Sequence, residues 1–258
     1  MKAIITGGTS GIGFGVASQL RERGWDVTIV GRNARQGTEI ASCIDASFIQ
    51  ADLSLMSEVQ KLVNLMNLMV QPLDALVMCA GGISVRSELT LTPEGLETTF
   101  ATNYLSKFAL SQLLLPNIKH DGCILMVGGN GKTKKVSTDW SARDSSFRAA
   151  YKSAHAVDIY ASQLAKRLKN IRVHTCYPGM VRTNLLKEAA LPIRLMTRLF
   201  SGPVAKGSSH LTRLITTKTS GVHWNQDKLM SFSPPLPTDK IANELWEYSE
   251  QTFKTYLK

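Results

Sequence analysis

Residues 2–13, KAIITGGTSGIG, decide the fold class of this chain. The apolar run of residues 2–5, typical of a buried strand, leads directly into a glycine-rich turn, and a helical pattern follows from Gly11. Glycines at such a turn allow the backbone to turn tightly and to approach a pyrophosphate, which then lies at the positive N-terminus of the helix. A glycine-rich turn alone is an ordinary feature, but its position directly after the first strand favours a dinucleotide site.

The rest of the chain continues the alternation of strands and helices. Further apolar runs stand at residues 27–30, 48–49, 73–79, 123–127 and 171–177. Helical patterns separate them, and the one after residues 73–79 is expected to begin at Thr92 and Pro93, which suit an N-cap and a first helical turn. Near-continuous apolar strands predict a parallel sheet covered by helices on both faces, with ligands at the carboxyl ends of the strands. Because no linker or repeat interrupts the pattern, we expect a single doubly wound α/β domain of Rossmann type over residues 1–258.

The composition excludes several classes of protein. With 43% hydrophobic and 19% charged residues, the chain is too apolar to be disordered. Its net charge of +10 is uneven, because residues 1–130 hold 9 Lys/Arg and 11 Asp/Glu while residues 131–258 hold 21 and 9. A basic half raises the question of nucleic acid. The cluster at residues 132–135 is short and has no interleaved aromatic residues, so no nucleic-acid partner is expected.

The cysteines and the apolar runs give expectations about metals and location. The four cysteines are scattered, and neither a C-x-x-C pair nor a Cys/His cluster with zinc spacing occurs, so no metal site is predicted. Reduced thiols, together with a first strand that starts at Lys2 without a charged and apolar leader, favour a cytoplasmic protein. No apolar stretch reaches the ~18 residues that a membrane span needs.

The residues after the second strand indicate which dinucleotide binds. Gly31, Arg32 and Asn33 stand about eighteen residues after Gly13, where a dinucleotide fold places the group that contacts the 2′ position of the adenine ribose. No acidic residue is present there to accept a hydrogen bond from a ribose hydroxyl. Arg32 can instead pair with a 2′-phosphate, which favours NADP(H) over NAD(H).

The order of these motifs along the chain resembles the short-chain dehydrogenase/reductase family. The spacing of Gly7, Gly11 and Gly13 is similar to the family signature T-G-x-x-x-G-I-G, and residues 178–183 resemble the P-G-x-x-x-T segment that closes over nicotinamide. The long segment before Tyr151 and the ending at residues 244–249 resemble the retinol-dehydrogenase-like branch. Besides Arg32 and Asn33, the resemblance implies cofactor contacts from Gly7, Thr9, Ser10, Gly11, Ile12, Gly13, Asp52, Leu53, Cys79, Ala80, Gly81, Tyr151, His155, Pro178, Gly179, Val181 and Thr183.

The catalytic residues depart from the family pattern. The family uses a tyrosine as proton donor or acceptor, a lysine at i+4 that lowers the pKa of the tyrosine, a serine after the fifth strand and an asparagine. Asn103 and Tyr151 match, but His155 stands at i+4, and Gly128-Gly129 replace the serine pair. Lys152 points about 100° around the helix from Tyr151, so it cannot simply substitute. We expect Tyr151, His155 and Asn103 to form the remaining catalytic set, unless His155 only fills the space left by lysine.

Three functions are compatible with this altered set. The first is an NADP(H)-dependent oxidoreductase acting on a hydrophobic carbonyl, alcohol or imine in specialised metabolism, with residues ~183–216 as a lid over the substrate. The second is a non-redox biosynthetic catalyst, such as a cyclase, isomerase or eliminase, that retains NADP(H). The third is a nucleotide-binding pseudoenzyme. Because the family often forms dimers, a homodimer is among the oligomeric states open to this chain.

Overall fold

The computed structural model describes residues 1–68, 72–82, 88–131, 138–179, 181, 202–219, 221–232, 236–237 and 239–256. Within these residues, one eight-stranded sheet forms the centre of the molecule. Its strands are β1 Lys2–Thr6, β2 Asp26–Gly31, β3 Ser47–Gln50, β4 Leu73–Met78, β5 Ile118–Val127, β6 Arg172–Tyr177, β7 His223–Asn225 and β8 Lys228–Leu229. The helices are α1 Gly11–Arg21, α2 Ala34–Cys43, α3 Met56–Asn67, α4 Thr98–Phe100, α5 Ser106–Leu113, α6 Ser146–Arg167, α7 Val204–Thr216 and α8 Asp239–Lys254.

The strand order confirms the predicted doubly wound α/β fold. The order is β3-β2-β1-β4-β5-β6-β7-β8, and every neighbouring pair is parallel except β7 with β8. The order reverses at β1, where β2 lies on one side and β4 on the other. The carboxyl ends of these strands meet at one edge of the sheet, which is where ligands of such folds bind.

Two hydrophobic layers cover the sheet, one on each face. Residues of α3, α5, α6 and α8 pack on one face, and residues of α1, α2 and α7 pack on the other. Strand β1 shows how the strands serve both layers, because Ile4 faces the first layer while Ala3 and Ile5 face the second. Side chains of a strand point alternately to opposite faces, so a strand buried on both sides must be apolar throughout.

One helix begins later than its sequence predicts. The expected start at Thr92 is wrong: residues 92–97 form a turn in which Gly95 has a φ of +78°, and the helix begins at Thr98. The carboxylate of Glu97 accepts hydrogen bonds from the backbone N–H groups of Thr99 and Phe100 at 3.0 and 2.6 Å. Glu97 therefore caps the helix, because the left-handed backbone at Gly95 interrupts a helix that starts earlier.

Part of the predicted lid is a helix of the second layer. Helix α7, Val204–Thr216, packs along α1, where Gln19 Nε2 donates hydrogen bonds to Ser208 Oγ and the Ala205 carbonyl at 2.9 and 3.0 Å. A Cβ on Gly15 would stand 2.5 Å from Ser208 Oγ, so the glycine allows the two helices to approach closely. Of the remaining lid residues, 183–201 lie outside the described residues, and a lid there stays a prediction. No helix among the described residues is long and apolar enough to cross a membrane.

Candidate nucleotide-binding and active site

Only glycine fits at several positions of the glycine-rich turn. Gly7 and Gly11 have φ values of +68° and +55°, in the left-handed region that favours glycine. A Cβ on Gly7 would stand 2.8 Å from the backbone nitrogen of Ala80, and one on Gly13 would collide with the carbonyl oxygen of Gly7. Ser10 stands at the N-cap of α1 without a side-chain capping bond. The first N–H groups of α1 therefore remain available to an anionic ligand.

Strand β2 brings Arg32 next to this turn. The backbone N–H of Gly7 donates to the carbonyl of Val30 at 2.9 Å, and a Cβ on Gly31 would meet Thr9 Cγ2 at 2.7 Å. Arg32 is exposed, and its guanidinium forms no ion pair within the described parts of the chain. The Asn33 side chain is engaged instead as the N-cap of α2, where its Oδ1 accepts from Gln36 N–H at 3.0 Å. Arg32 is thus the cation that can meet a 2′-phosphate here.

The predicted adenine-side residues have structural partners of their own. Asp52 Oδ1 accepts hydrogen bonds from the backbone N–H and the hydroxyl of Ser54 at 3.0 and 2.8 Å, which shapes the turn before α3. Leu53 is buried in the first hydrophobic layer. Both residues follow the end of β3, at the same edge of the sheet as the glycine-rich turn.

Asn103 holds the segment that follows β4. Its Oδ1 accepts from Gly82 N–H at 2.9 Å, and its Nδ2 donates to the Gly82 carbonyl at 2.7 Å. The residue lies in a π-helical turn, Ala101–Leu105, between α4 and α5. Such turns are frequent at functional sites. Because both ends of the amide are used, Asn103 fixes the backbone of residues 79–82 against the edge of the sheet.

Lys107 is a buried cation directly beneath this segment. Its Nζ donates to the carbonyl oxygens of Ala80 and Asn103 at 2.8 and 2.6 Å. Burial lowers the pKa of Lys107 to about 8, and the neighbouring Cys79 opposes that shift. Burial also raises the pKa of the Cys79 thiol to about 12, so this thiol is not ionised at neutral pH.

Tyr151 and His155 lie one turn apart on α6 but in different surroundings. Tyr151 is 52% exposed and stacks edge-on against Phe147, with ring centroids 5.1 Å apart. His155 is buried, and its Nδ1 has no hydrogen-bond partner among the described residues. Burial lowers the pKa of His155 below its ordinary value, so the imidazole is neutral at pH 7 and supplies no positive charge to Tyr151.

Lys152 does not replace the missing lysine. Its Nζ forms an ion pair with Asp144 at 2.8 Å, donates to the carbonyls of Asp139 and Ala142 at 3.1 and 2.8 Å, and lies over the Phe100 ring. Lys152 is buried while Tyr151 is exposed, in agreement with the rotation of about 100° between adjacent helical positions. Lys152 therefore ties the start of α6 to the loop before it.

The glycine pair after β5 is packed against an acidic side chain. Gly129 N–H donates to Asp158 Oδ2 at 3.3 Å. A Cβ on Gly128 would stand 2.6 Å from Asp158 Oδ1, and one on Gly129 would stand 2.8 Å from Oδ2. The carboxyl group of Asp158 thus occupies the space into which side chains at the serine positions would extend.

The segment after β6 is described only in part. Gly179 has a φ of +83°, and a Cβ there would meet Gln226 Nε2 at 2.7 Å, so this turn requires glycine. The Pro178 carbonyl faces Gly207 of α7, and Val181 pairs with Gly202 as an isolated parallel bridge. Thr183 lies outside the described residues.

The residues present fit a nicotinamide dinucleotide. The uncapped N-terminus of α1 suits a pyrophosphate, and the exposed guanidinium of Arg32 suits a 2′-phosphate. The unpartnered Nδ1 of His155 suits a hydroxyl of the nicotinamide ribose. Among the described residues, no group of three or more His, Cys, Asp or Glu side chains could hold a metal ion.

Comparison with known families agrees with this fold. The family described as short chain dehydrogenase matches residues 1–192. The chain therefore belongs to the short-chain dehydrogenase/reductase family, a family of oxidoreductases.

Two relatives indicate the branch of the family to which this chain is most similar in sequence pattern. The chain is 26% identical over 277 residues to human polyprenol dehydrogenase, covering 96% of this chain and 83% of the relative. It is 28% identical over 268 residues to retinol dehydrogenase 12 of Bos taurus, covering 95% and 84%. These similarities confirm the retinol-dehydrogenase-like branch.

Solved structures share the fold at low sequence identity. An uncharacterised protein from Mycobacterium paratuberculosis superposes with a TM-score of 0.74 at 23% identity, covering 98% of this chain and 93% of the other. A Burkholderia cenocepacia short chain dehydrogenase in complex with NADP superposes with a TM-score of 0.65 at 21% identity, covering 86% and 94%.

Sequence reasoning missed two polar residues at this edge of the sheet, Lys107 and Asp158. Asp158 lies seven residues after Tyr151 and three after His155, on one face of α6, so the helical period could have identified it. Lys107 follows Asn103 by four residues, and only the fold shows that its ammonium group turns back to the Asn103 carbonyl.

Proposed function

We propose that this protein is an NADP(H)-dependent oxidoreductase that acts on a hydrophobic carbonyl, alcohol or imine. The observation that carries the proposal is the glycine-rich turn with the uncapped N-terminus of α1 beside the exposed guanidinium of Arg32. Of the two common dinucleotides, only NADP(H) has a 2′-phosphate that this arginine can bind. When bound, the nicotinamide supplies the hydride chemistry.

The side chains of this chain then have distinct tasks. Tyr151 gives or takes the proton at the substrate oxygen, since its phenol is exposed at the start of α6. His155 hydrogen-bonds through its unpartnered Nδ1 and orients the cofactor ribose. Asn103 and Lys107 act indirectly by holding residues 80–82.

The substrate class rests on the predicted lid and on the relatives. Residues 183–200 are rich in leucine with basic residues interspersed, a composition suited to covering an apolar molecule. The names of the relatives, polyprenol and retinol dehydrogenases, point to long apolar alcohols. A cytoplasmic location, a role in specialised metabolism and a homodimer belong to the same proposal.

The test is nicotinamide turnover with aliphatic and isoprenoid alcohols and aldehydes. With NADP(H) we expect the nicotinamide absorbance to change as the cofactor is oxidised or reduced. In Tyr151→Phe we expect the turnover rate to fall by about 10²-fold or more. Tyr256→Phe is the matched control, because that hydroxyl donates to the Glu94 carbonyl away from the site. Binding of the cofactor without any change in its oxidation state across the panel contradicts the proposal.

The missing lysine provides a second test. His155→Lys places an ammonium group one turn from Tyr151, where it lowers the pKa of the phenol and strengthens it as a base. We expect a higher rate at pH 7 and a pH–rate profile moved to lower pH. An unchanged rate argues against Tyr151 as the acid or base.

A non-redox biosynthetic function is the second candidate. The observation that favours it is the neutral environment of His155 together with the loss of a hydroxyl at Gly128-Gly129, which weakens acid–base chemistry at a substrate oxygen. This function predicts conversion of a substrate without net change in NADP(H). Stoichiometric consumption of NADPH excludes it.

A further inference from the structure

The turn between β7 and β8 lies against the end of β6. The backbone N–H of Gln226 donates to the Tyr177 carbonyl at 2.8 Å, and its side-chain Nε2 lies 2.7 Å from the position of a Cβ on Gly179. Gln226 has a φ of +56°, a left-handed backbone that residues other than glycine seldom adopt. Such a backbone persists only where the surrounding structure holds it, so the contacts of this turn indicate what it does.

Helix α7 fixes this turn through Asp227. The Oδ1 atom of Asp227 lies 2.9 Å from His210 Nδ1 and accepts a hydrogen bond from Arg213 Nε at 3.1 Å. The contact with His210 lowers the pKa of Asp227, and Arg213 acts in the same direction, so the carboxylate stays ionised at neutral pH. The Arg213 guanidinium also lies over the ring of Trp224 in β7, 5.2 Å from its centroid. Two side chains of α7 thus hold the hairpin of β7 and β8.

The same side of α7 contacts the segment after β6 directly. A Cβ on Gly207 would stand 2.5 Å from Val181 Cγ2 and 3.5 Å from the Pro178 carbonyl oxygen. Gly207, His210 and Arg213 follow one another at intervals of three residues, which places them along one side of the helix. The segment after β6 is therefore held between α7 and the β7–β8 turn.

This segment borders the proposed cofactor site. The position of a Cβ on Gly207 is close both to Val181 and to Ile12 Cδ1, at 2.9 Å, so the segment lies beside the uncapped N-terminus of α1. In a doubly wound sheet a dinucleotide crosses the point where the strand order reverses, which is β1 here. With Arg32 after β2 at the adenine end, the nicotinamide end belongs on the side of β4, β5 and β6. The segment after β6 is therefore a neighbour of the reacting ring.

We propose that Gln226 is a positioning residue that holds the segment after β6 against the nicotinamide end of the cofactor, and that Asp227 anchors it to α7. The inference rests on the proposed oxidoreductase function. Hydride transfer requires the two reacting carbons to be held at a close distance and in the right orientation. Gln226 acts through the backbone of Gly179 and touches no reacting atom in this role.

Gln226→Gly separates positioning from folding. Glycine adopts a φ of +56° readily, so the turn keeps its shape and the free energy of unfolding should not fall, while the side-chain contact with Gly179 is lost. We expect kcat to fall by about 10-fold or more, with the Kd for NADPH nearly unchanged because the phosphate contacts remain. With NADPH deuterated at the transferred hydrogen, the primary isotope effect on kcat should rise, because hydride transfer becomes slower relative to the other steps.

Three further variants complete the test. Asp121→Gly is the matched control, because Asp121 also has a positive φ, +67°, and its N–H donates to the Asn170 carbonyl away from the site. Gln226→Asn keeps an amide and tolerates a left-handed backbone, so it should recover part of the kcat that Gln226→Gly loses. Asp227→Ala should lower kcat in the same way. Because both residues act through one contact, the double variant should lose less than the two single losses predict.

A second measurement needs neither cofactor nor turnover. Hydrogen exchange followed by NMR reports how often the backbone around an amide group opens. We expect faster exchange at Gly179 and Val181 in Gln226→Gly and in Asp227→Ala than in the wild type. The same two amide groups should be unaffected in Asp121→Gly.

The outcomes separate this inference from the proposed function. If wild-type protein turns over NADP(H) and Gln226→Gly keeps its kcat and isotope effect, the positioning role is wrong and the oxidoreductase function stands. A fall in kcat that accompanies a fall in stability, and that Gln226→Asn does not recover, also overturns the positioning role. If no turnover occurs, the proposed function fails, and hydrogen exchange decides whether Gln226 holds the segment after β6. Faster exchange at Gly179 and Val181 then supports this, and unchanged exchange overturns it.

Discussion

The ammonium group of Lys107 donates a 2.6 Å hydrogen bond to the carbonyl oxygen of Asn103, four residues earlier in the π-helical turn that precedes α5. A second hydrogen bond to Ala80 fixes the segment after β4 to the same cation. An internal cation thereby joins the π-helical turn to the edge of the sheet where the cofactor is proposed to bind.

Replacing Lys107 tests how much this cation contributes to stability. Lys107→Met leaves the carbonyls of Ala80 and Asn103 without a donor, so we expect the free energy of unfolding to fall by about 1–3 kcal/mol at pH 7. The folded-state pKa of about 8 lies below the ordinary value of 10.5, so the unfolded chain binds more protons between these values. Stability of the wild type should therefore rise from pH 8 to 10.5, and that of the variant should not. Urea denaturation measures both, with the exposed Lys61→Met as control.

Arg32 is expected to determine the preference between cofactors. A charge-assisted hydrogen bond is worth about 1.5–3 kcal/mol, so Arg32→Ala should weaken NADPH binding by about 10- to 100-fold and leave NADH binding nearly unchanged. Arg35→Ala is the matched control, because Arg35 is an exposed arginine three residues away that pairs with Glu39. Isothermal titration measures the affinities. Equal losses for NADPH and NADH would show that Arg32 does not contact a 2′-phosphate.

The contact between Gly129 and Asp158 predicts coupled effects of substitution. A serine at position 129 places its Cβ 2.8 Å from Asp158 Oδ2, so Gly129→Ser alone should destabilise the protein by about 1–3 kcal/mol. In an Asp158→Ala background the space is open, and the same change should be nearly neutral. A double-mutant cycle of unfolding free energies gives the coupling. Additive effects of the two substitutions would contradict a direct contact between position 129 and Asp158.

Acid should destabilise the fold through His174. Burial lowers the pKa of His174 to about 4 against the ordinary 6.5, although its Nδ1 donates to the Gly221 carbonyl at 2.7 Å. The unfolded chain therefore takes up the proton first. The contribution of a neutral His174, up to about 3 kcal/mol, is complete above pH 6.5 and is lost as the pH falls to 4. NMR titration checks the pKa, and His174→Asn should lose less stability than wild type over that interval.

Local sequence signals predicted the fold because they act over short distances. The glycines of residues 6–13 predict a tight turn, and the apolar runs predict buried strands. The structure contains both. The start at Thr92 failed because a good N-cap residue cannot overcome the left-handed backbone at Gly95 three residues later. Strands β7 and β8 are too short for a periodic signal.

The interior of the site could not be predicted in the same way. The contact between Gly129 and Asp158 joins residues 29 positions apart, and the hydrogen bond between Thr175 and His223 joins residues 48 apart. Such contacts depend on which strands become neighbours, and residue type alone does not reveal this. The sequence shows Tyr151, and the helical period places Asp158 on the same face of α6, but the sequence does not show that the Asp158 carboxyl group fills the space beside Gly128 and Gly129.

The π-helical turn Ala101–Leu105 makes this region sensitive to chain length rather than to residue type. A π turn contains one residue more than an α-helical turn. Deleting a single residue there would convert the π turn into a regular α-helical turn, so Lys107 and Phe108 would keep their faces of the helix. The deletion would instead displace Asn103 from Gly82, whose N–H and carbonyl its side chain binds. The extra residue therefore constrains the placement of Asn103 rather than the packing of the helix that follows.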